Sequence, residues 1–391
     1  MNFNPDNEIA KARRAKYRKV RIKRILISVA VIVGIVSVLL SVSLYSSVVS
    51  SDIRDFFKAY LSIGSYPVKI GTGVISEAVV SSRTLFLLND TSVKTVSGSG
   101  ANLLDYTHGI SNPGLAVNSN RAVVFSRGGK SYKVFNRTMH LFSGNMEDLI
   151  IDVAVSNNGQ YAFLTSGDVY TSELTVYSRN GEKQFVWYGA DGFPVGVYPS
   201  SNRNELAVLC VSARDGVLYS IVTMIDLDTK KEKTAFTLEG MPVIAFPDSD
   251  GIVIFMDDHC VRCSNNGTVT ATIDYNGKEI LDIRSDSNKD IAVAFGDNRK
   301  SEINNVMIVT RKLSLSAEID YRDEIDEIWI NNDRLFILNR DRIDSYSHSG
   351  ELKEIYHSDF SVYSMVYFGG LVTVKPQFLE KLSRNSREEI G

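Results

Sequence analysis

Four acidic residues, Glu77, Asp152, Asp282 and Asp326, each open a short apolar run. Carboxylates gathered from separate segments can hold a hard cation or a polar ligand, because oxygen donors at suitable reach are what such a site requires. Other chemistry-bearing residues are present without a matching arrangement. The five histidines (His108, His140, His259, His348, His357) include no pair at i, i+2 or i, i+4, so no two-histidine metal motif exists. There is no G-x-S-x-G elbow, no P-loop, and no G-x-G-x-x-G opening a helix. Ser97-Gly-Ser-Gly100 and Arg127-Gly-Gly-Lys130 lie between strand-like runs, without a helix N-terminus to hold phosphate, and read as turns. Cys260 and Cys263 form a lone C-x-x-C. On a strand, residues three apart point to opposite faces, and no second pair completes a zinc site. Three cysteines make no disulfide framework. The residues therefore predict neither catalysis nor a cofactor, and leave the four carboxylates as the candidate ligand site.

What positions those carboxylates is a repeat. A short apolar strand, a polar turn and a second apolar strand recur, starting at Glu77, Gly114, Asp152, Gly196, Val243, Asp282, Asp326 and Ser364. One equivalent position in the second strand falls at Phe86, Val123, Ala162, Ala207, Val253, Ala292, Phe336 and Val372. Repeats of about 40 residues carrying only strand signals are the mark of a β-propeller with four-stranded blades. Asn180-Gly181 and Asn266-Gly267 sit between apolar runs and predict the later hairpins, with positive φ at both turn residues. Counting gives eight blades; seven follows if one unit is misaligned. Tyr66–Gly71 is an orphan strand before the first unit and is expected to supply the outer strand of the last blade, closing the ring. In that architecture the four carboxylates lie at the mouth of the central channel, a wet place that also tolerates carboxylates singly.

Before the repeat the chain changes character. Ile25–Leu44 is twenty residues without a charge, enough for a helix to span about 30 Å of hydrocarbon. The preceding 24 residues hold nine Lys and Arg against Asp6 and Glu8, leaving the remainder with 34 basic and 44 acidic residues. A basic block before a span places the N-terminus in the cytoplasm and the body outside, while the acidic body has no footprint for nucleic acid. The run exceeds a signal-peptide core and no small-residue cleavage site follows, so an uncleaved anchor is expected. In Asp52–Ser62, Ile53, Phe56, Phe57, Tyr60 and Leu61 share one helical face, expected to dock on the body. The expected organisation is a cytoplasmic arm (1–24), a transmembrane helix (25–45), a juxtamembrane segment (46–65), an extracytoplasmic propeller (66–382) and a polar tail (383–391).

The basic arm with its span, the Tyr66-Pro-Val opening strand and the eight-unit register together resemble the broad group of WD-repeat, YVTN-type and quinoprotein-like propellers. Within it, the chain resembles a family of uncharacterised single-pass propellers of clostridial Gram-positive bacteria. The Gly-His and Trp-Asp dipeptides of true WD repeats do not occur, and Trp187 and Trp329 are too few for quinone-docking blades. The expected function is a membrane-tethered scaffold for a protein or cell-envelope partner, without catalysis. Two alternatives stand beside it: a sensory ectodomain taking a cation, glycan or peptide at the channel mouth, and a propeller hydrolase or lyase. Tyr188, Phe193 and Tyr198 surround a connection between blades and offer an aromatic platform, or blade packing.

Overall fold

The repeat folds as expected because its second strands are apolar without alternation. Thr84–Asn89, Arg121–Ser126 and Gly251–Met256 are buried along their whole length, which requires cover on both faces of the sheet. In the computed structural model there are eight antiparallel sheets, one per unit, and in the first six the four strands pair in sequence order. The structure describes residues 21–37, 47–71, 73–167, 169–286, 290–296, 304–331, 334–340, 342–357, 361–382 and 387–389. The inner strands of blades 1 to 8 are Ile75–Ser81, Pro113–Asn118, Leu149–Val155, Phe193–Pro199, Pro242–Asp248, Glu279–Ser285, Glu327–Ile330 and Ser364–Tyr367. Hydrophobic clusters form across the seams: Leu174 and Val176 of blade 3 lie with Leu206 and Val208 of blade 4, and Ile308 of blade 6 with Ile337 of blade 7. The cysteines follow this rule, with Cys260 in the seam to blade 6 and Cys263 in the seam to blade 4. Burial pushes both thiols up to about 11, so neither is a thiolate near neutrality.

The ring closes through the N-terminal strand Val68–Lys69, which pairs with Phe378–Lys381 and makes the fourth strand of blade 8. Val68, Leu379 and Val374 bury together at this junction. Blade 7 holds a surprise in the expected polar tail: Arg387–Glu389 pairs with Leu352–His357 as a fifth, outermost strand.

The hairpins at Asn180-Gly181 and Asn266-Gly267 differ in turn type from expectation. Only the glycines have positive φ, and each donates its N–H to the carbonyl three residues back, at Ser178 and Ser264. A register shift follows beside each turn, between Val176 and Tyr177 and between Arg262 and Cys263. This is a type I turn with a glycine bulge, which keeps the strand twist while one residue alone takes the left-handed conformation. Gly251 shows a stricter need: at φ 148° a Cβ would lie 2.0 Å from the Cys263 carbonyl oxygen.

The chain divides into two units, Met1–Phe57 and Lys58–Gly391. In the first, residues 21–37 are helical with exposed side chains, and 38–46 lie outside the described residues. The expected span is thus described only over 25–37. Among the described residues no helix is long and apolar enough to cross a membrane. The next helix is Ser47–Leu61, longer than the predicted Asp52–Ser62. Phe56, Phe57, Tyr60 and Leu61 keep more than half of their surface exposed.

Leu379 is fully buried at the closing junction. Leu379→Ala is expected to cost about 2–5 kcal/mol in urea unfolding, as for other buried leucines. A loss below about 1 kcal/mol would show that the junction does not hold the ring.

Candidate functional site

The carboxylates owe their shared position to a bulge. In blades 1, 3, 4, 5 and 6 the inner strand carries one extra residue near its start: Ser76, Ile151, Val195, Val243 and Leu281. The next residue is Glu77, Asp152, Gly196, Ile244 or Asp282, re-aimed by the local kink. Three of the four predicted carboxylates therefore occupy one register. Asp326 does not. In blade 7 it is Glu327 that pairs with Leu338, while the Asp326 N–H also bonds the Leu338 carbonyl, so Asp326 is the bulged residue and its side chain is exposed. The register that Glu77, Asp152 and Asp282 share is therefore held in blade 7 by Glu327, one residue beyond Asp326.

Each carboxylate in this register is directed at the next blade. Asp152 accepts the Val197 N–H at 2.9 Å, Asp282 accepts the Ile328 N–H at 3.1 Å, and Glu327 accepts the Met365 N–H at 2.9 Å. All three donors are inner-strand amides of the following blade. Glu77 instead takes the Arg127 guanidinium of blade 2 at 2.7 Å. Arg284, two residues beyond Asp282 on the same strand, reaches Glu327 at 3.0 Å and Asp282 at 3.4 Å. Two charged groups result, one of Glu77, Arg127 and Asp152 across blades 1 to 3, the other of Asp282, Arg284 and Glu327 across blades 6 and 7. Burial pushes the Glu327 carboxyl above the usual carboxylate range, opposed by Arg284 and the Met365 amide. Asp326 is raised by its own partial burial and by Glu324.

The arrangement thus clasps blade to blade. Among the described residues, the one group of three side chains close enough to share a metal ion contains none of Glu77, Asp152, Asp282 and Asp326. Arg284 and Glu327 were not singled out from the sequence, and Arg127 was read only as part of a turn. The pairing of Glu327 with Leu338 is what identifies it.

The opposite end of the blades carries a second belt. The residue after the start of the third-to-outer turn is Arg137 in blade 2, Arg179 in blade 3, Arg311 in blade 6 and His348 in blade 7. Each turns toward the preceding blade. Arg137 bonds the Ser82 carbonyl at 3.5 Å, Arg179 the Asn120 side chain at 2.9 Å, Arg311 stacks 4.7 Å over the Phe246 ring, and His348 meets Asp290 at 2.9 Å. Two of the other histidines have different partners. Buried His108 spans the Asn89 carbonyl and the Ile110 amide, and His140 stacks on Tyr106.

The predicted aromatic platform divides. Tyr198 belongs to a seam, its hydroxyl donating to the Val243 carbonyl at 3.5 Å, whereas Phe193 is 73% exposed and Tyr188 lies exposed against Tyr170, ring centroids 4.4 Å apart.

These features define an eight-bladed β-propeller whose seams are tied by carboxylates at one end of the blades and by turn cations at the other. Residues 68–382 match the model of the "Family of unknown function (DUF5711)", and the chain belongs to that family. No curated protein matches it. Among solved structures it is similar to Saccharomyces cerevisiae Sqt1 (10% identity, TM-score 0.58), with 83% of this chain and 100% of that one covered. It is also similar to the C-terminal WD40 domain of Sif2 (11%, 0.56; 82% and 100% covered) and to BamB from Moraxella catarrhalis (10%, 0.50; 81% and 100% covered). At these identities the likeness concerns the fold alone.

Asp152 offers a test of the clasp. Burial pushes its carboxyl up to about 6, opposed by the Val197 and Val153 amides and by Arg127. An aspartate in the unfolded chain titrates near ~3.9. The folded chain therefore holds an extra proton between the two values, and the stability this brings is fully present below about pH 4 and lost as pH rises through about 6. Asp152→Asn keeps an oxygen for the Val197 amide without the charge. Between pH 4 and 8 the wild type is expected to lose about 2 kcal/mol more stability than the variant, at roughly 1.4 kcal/mol per pK unit. Identical pH profiles in urea unfolding would refute this assignment.

Proposed function

We propose that the chain is a membrane-tethered, extracytoplasmic protein-binding propeller that engages its partner through the end of the blades where the inner strands begin. The observation that carries this reading is the distribution of exposed apolar side chains. Leu149, Tyr170, Tyr188, Phe193, Leu218, Met241, Val243 and Leu281 are exposed, and all lie at inner-strand starts, second-to-third turns or outer-strand ends of blades 3 to 6. In an antiparallel blade those three places share one end. Clustered apolar exposure of this kind is characteristic of an interaction surface. Blade 4 extends it, because its second and third strands have ten residues where most have six. Their hairpin forms one wall of a cavity of about 660 Å³ shared with blade 5, lined by Leu218, Leu238 and Met241 and edged by Glu239, Asp257 and Asp258.

Tethering rests on the uncharged Ile25–Leu44 run and the basic block before it. The exposed Phe56, Phe57, Tyr60 and Leu61 face then suits the outer leaflet surface.

A photo-crosslinking residue placed at Leu218, Met241 or Phe193 of the full chain, in its own membrane, is expected to give one discrete protein adduct. The same residue at Leu315 or Val269, exposed at the other end of the blades, is expected to give none. Leu218→Glu with Val243→Glu should weaken the adduct at least 10-fold with the melting temperature unchanged. Equal adducts from both ends, or an adduct indifferent to the paired substitution, would overturn the reading.

A further inference from the structure

His348 departs from the belt pattern of Arg137, Arg179 and Arg311, and its surroundings differ in kind. Its Nε2 lies 2.7 Å from the Asn331 carbonyl oxygen. A carbonyl only accepts, so Nε2 carries the proton and, in the neutral ring, the lone pair is on Nδ1. Nδ1 faces Asp290 Oδ2 at 2.9 Å, and a carboxylate oxygen of Asp286 lies within 4.8 Å of both ligand atoms. Two acceptors at contact distance need something positive between them.

We propose that Asp286, Asp290 and His348 form a binding site for one divalent transition-metal cation of the Mn²⁺ to Zn²⁺ series, at the seam of blades 6 and 7. Four features fit a metal. The ligand set, one imidazole nitrogen with two carboxylate oxygens, suits cations of this series. Metal–nitrogen and metal–oxygen bonds of about 2.1 Å place two ligand atoms about 3 to 3.4 Å apart, so Nδ1 and Asp290 need separate by only a few tenths of an ångström to admit the ion. The outer contacts are those that orient metal ligands: the imidazole donates its other N–H to a backbone carbonyl, and Asp286 Oδ1 accepts the Asp290 N–H at 2.9 Å. Finally, the His348 and Asp290 side chains are 23% and 21% exposed, leaving a solvent route for the ion and for water in the remaining positions. Arg311, bonded to Ser285 at 2.9 Å, is the cation bordering Asp286 on the blade 6 side. It offsets part of the negative charge, so the site suits a cation held by three ligands and not a more highly charged cluster.

Full-length chain in detergent, stripped with EDTA, is titrated with ZnCl₂ and separately with MnCl₂, following melting temperature and bound metal per chain. The expected result is one ion per chain with a saturable rise in melting temperature for at least one metal. Asp290→Asn should weaken binding at least about 100-fold. His348→Arg restores the side chain that other blades use at this turn and cannot ligate. It should fold with a melting temperature close to the metal-free wild type, yet show no saturable rise. Absence of bound metal in the wild type, or a rise that survives His348→Arg, would overturn the proposal. The pair would then be an imidazolium ion paired with Asp290.

Discussion

A blade that is apolar on both faces has no stable existence as a single sheet. Its faces must be covered, and only another blade offers a matching surface, so each blade requires two neighbours and the row must close into a ring. The wholly buried second strands state this requirement locally, and the Val68–Lys69 strand meets it globally by completing blade 8 from the far end of the chain. Closure through the shared blade turns a string of weakly interdependent repeats into a body in which losing one seam disturbs both its neighbours.

Apolar packing fixes that blades adjoin but is indifferent to how one is rotated about its neighbour. The polar ties supply that direction. At the end where inner strands begin, amides on the unpaired edge of an inner strand are accepted by carboxylates of the preceding blade. At the other end, turn cations reach back to the preceding blade. Clasps and belt pull on the two ends of a seam, and so resist twisting of one blade against the next.

The ring was legible in the sequence because it rests on spacing and on uninterrupted apolar runs, which survive any local irregularity. The eight units follow from the spacing of residues such as Phe86, Val253 and Val372, and the closing strand from the orphan Tyr66–Gly71 before them. The site was half legible. Glu77, Asp152 and Asp282 were found by type and place, but what they bind was not, since the partners Val197 and Ile328 contribute backbone amides that no side-chain motif announces. Glu327 was missed because a bulge adds one residue without leaving a compositional trace. The fifth strand of blade 7 was hidden for a different reason: Arg387–Glu389 is polar and pairs at an outer edge, where no apolar pattern is needed. His348 looked solitary because Asp290 lies 58 residues away on the preceding blade.

Function in such a ring is better sought where the repeat is broken than where it is kept. Positions that obey the pattern are explained by packing and by the seams, which every blade needs. Three departures have no such explanation. Blade 4 lengthens its second and third strands by four residues, carrying Leu218 and the adjoining turn out to one wall of the cavity it shares with blade 5. Blades 3 to 6 leave apolar side chains uncovered at one end although polar residues would serve the turn equally well. Blade 7 replaces the arginine of its turn with a histidine facing two carboxylates. The first two departures occupy the same end of adjoining blades and so belong to one surface. The third lies at the opposite end, where the belt sets the angle between blades 6 and 7. An ion bound there would act on the seam and not on the partner surface directly, so any effect on binding would have to pass through the rotation of one blade against the next.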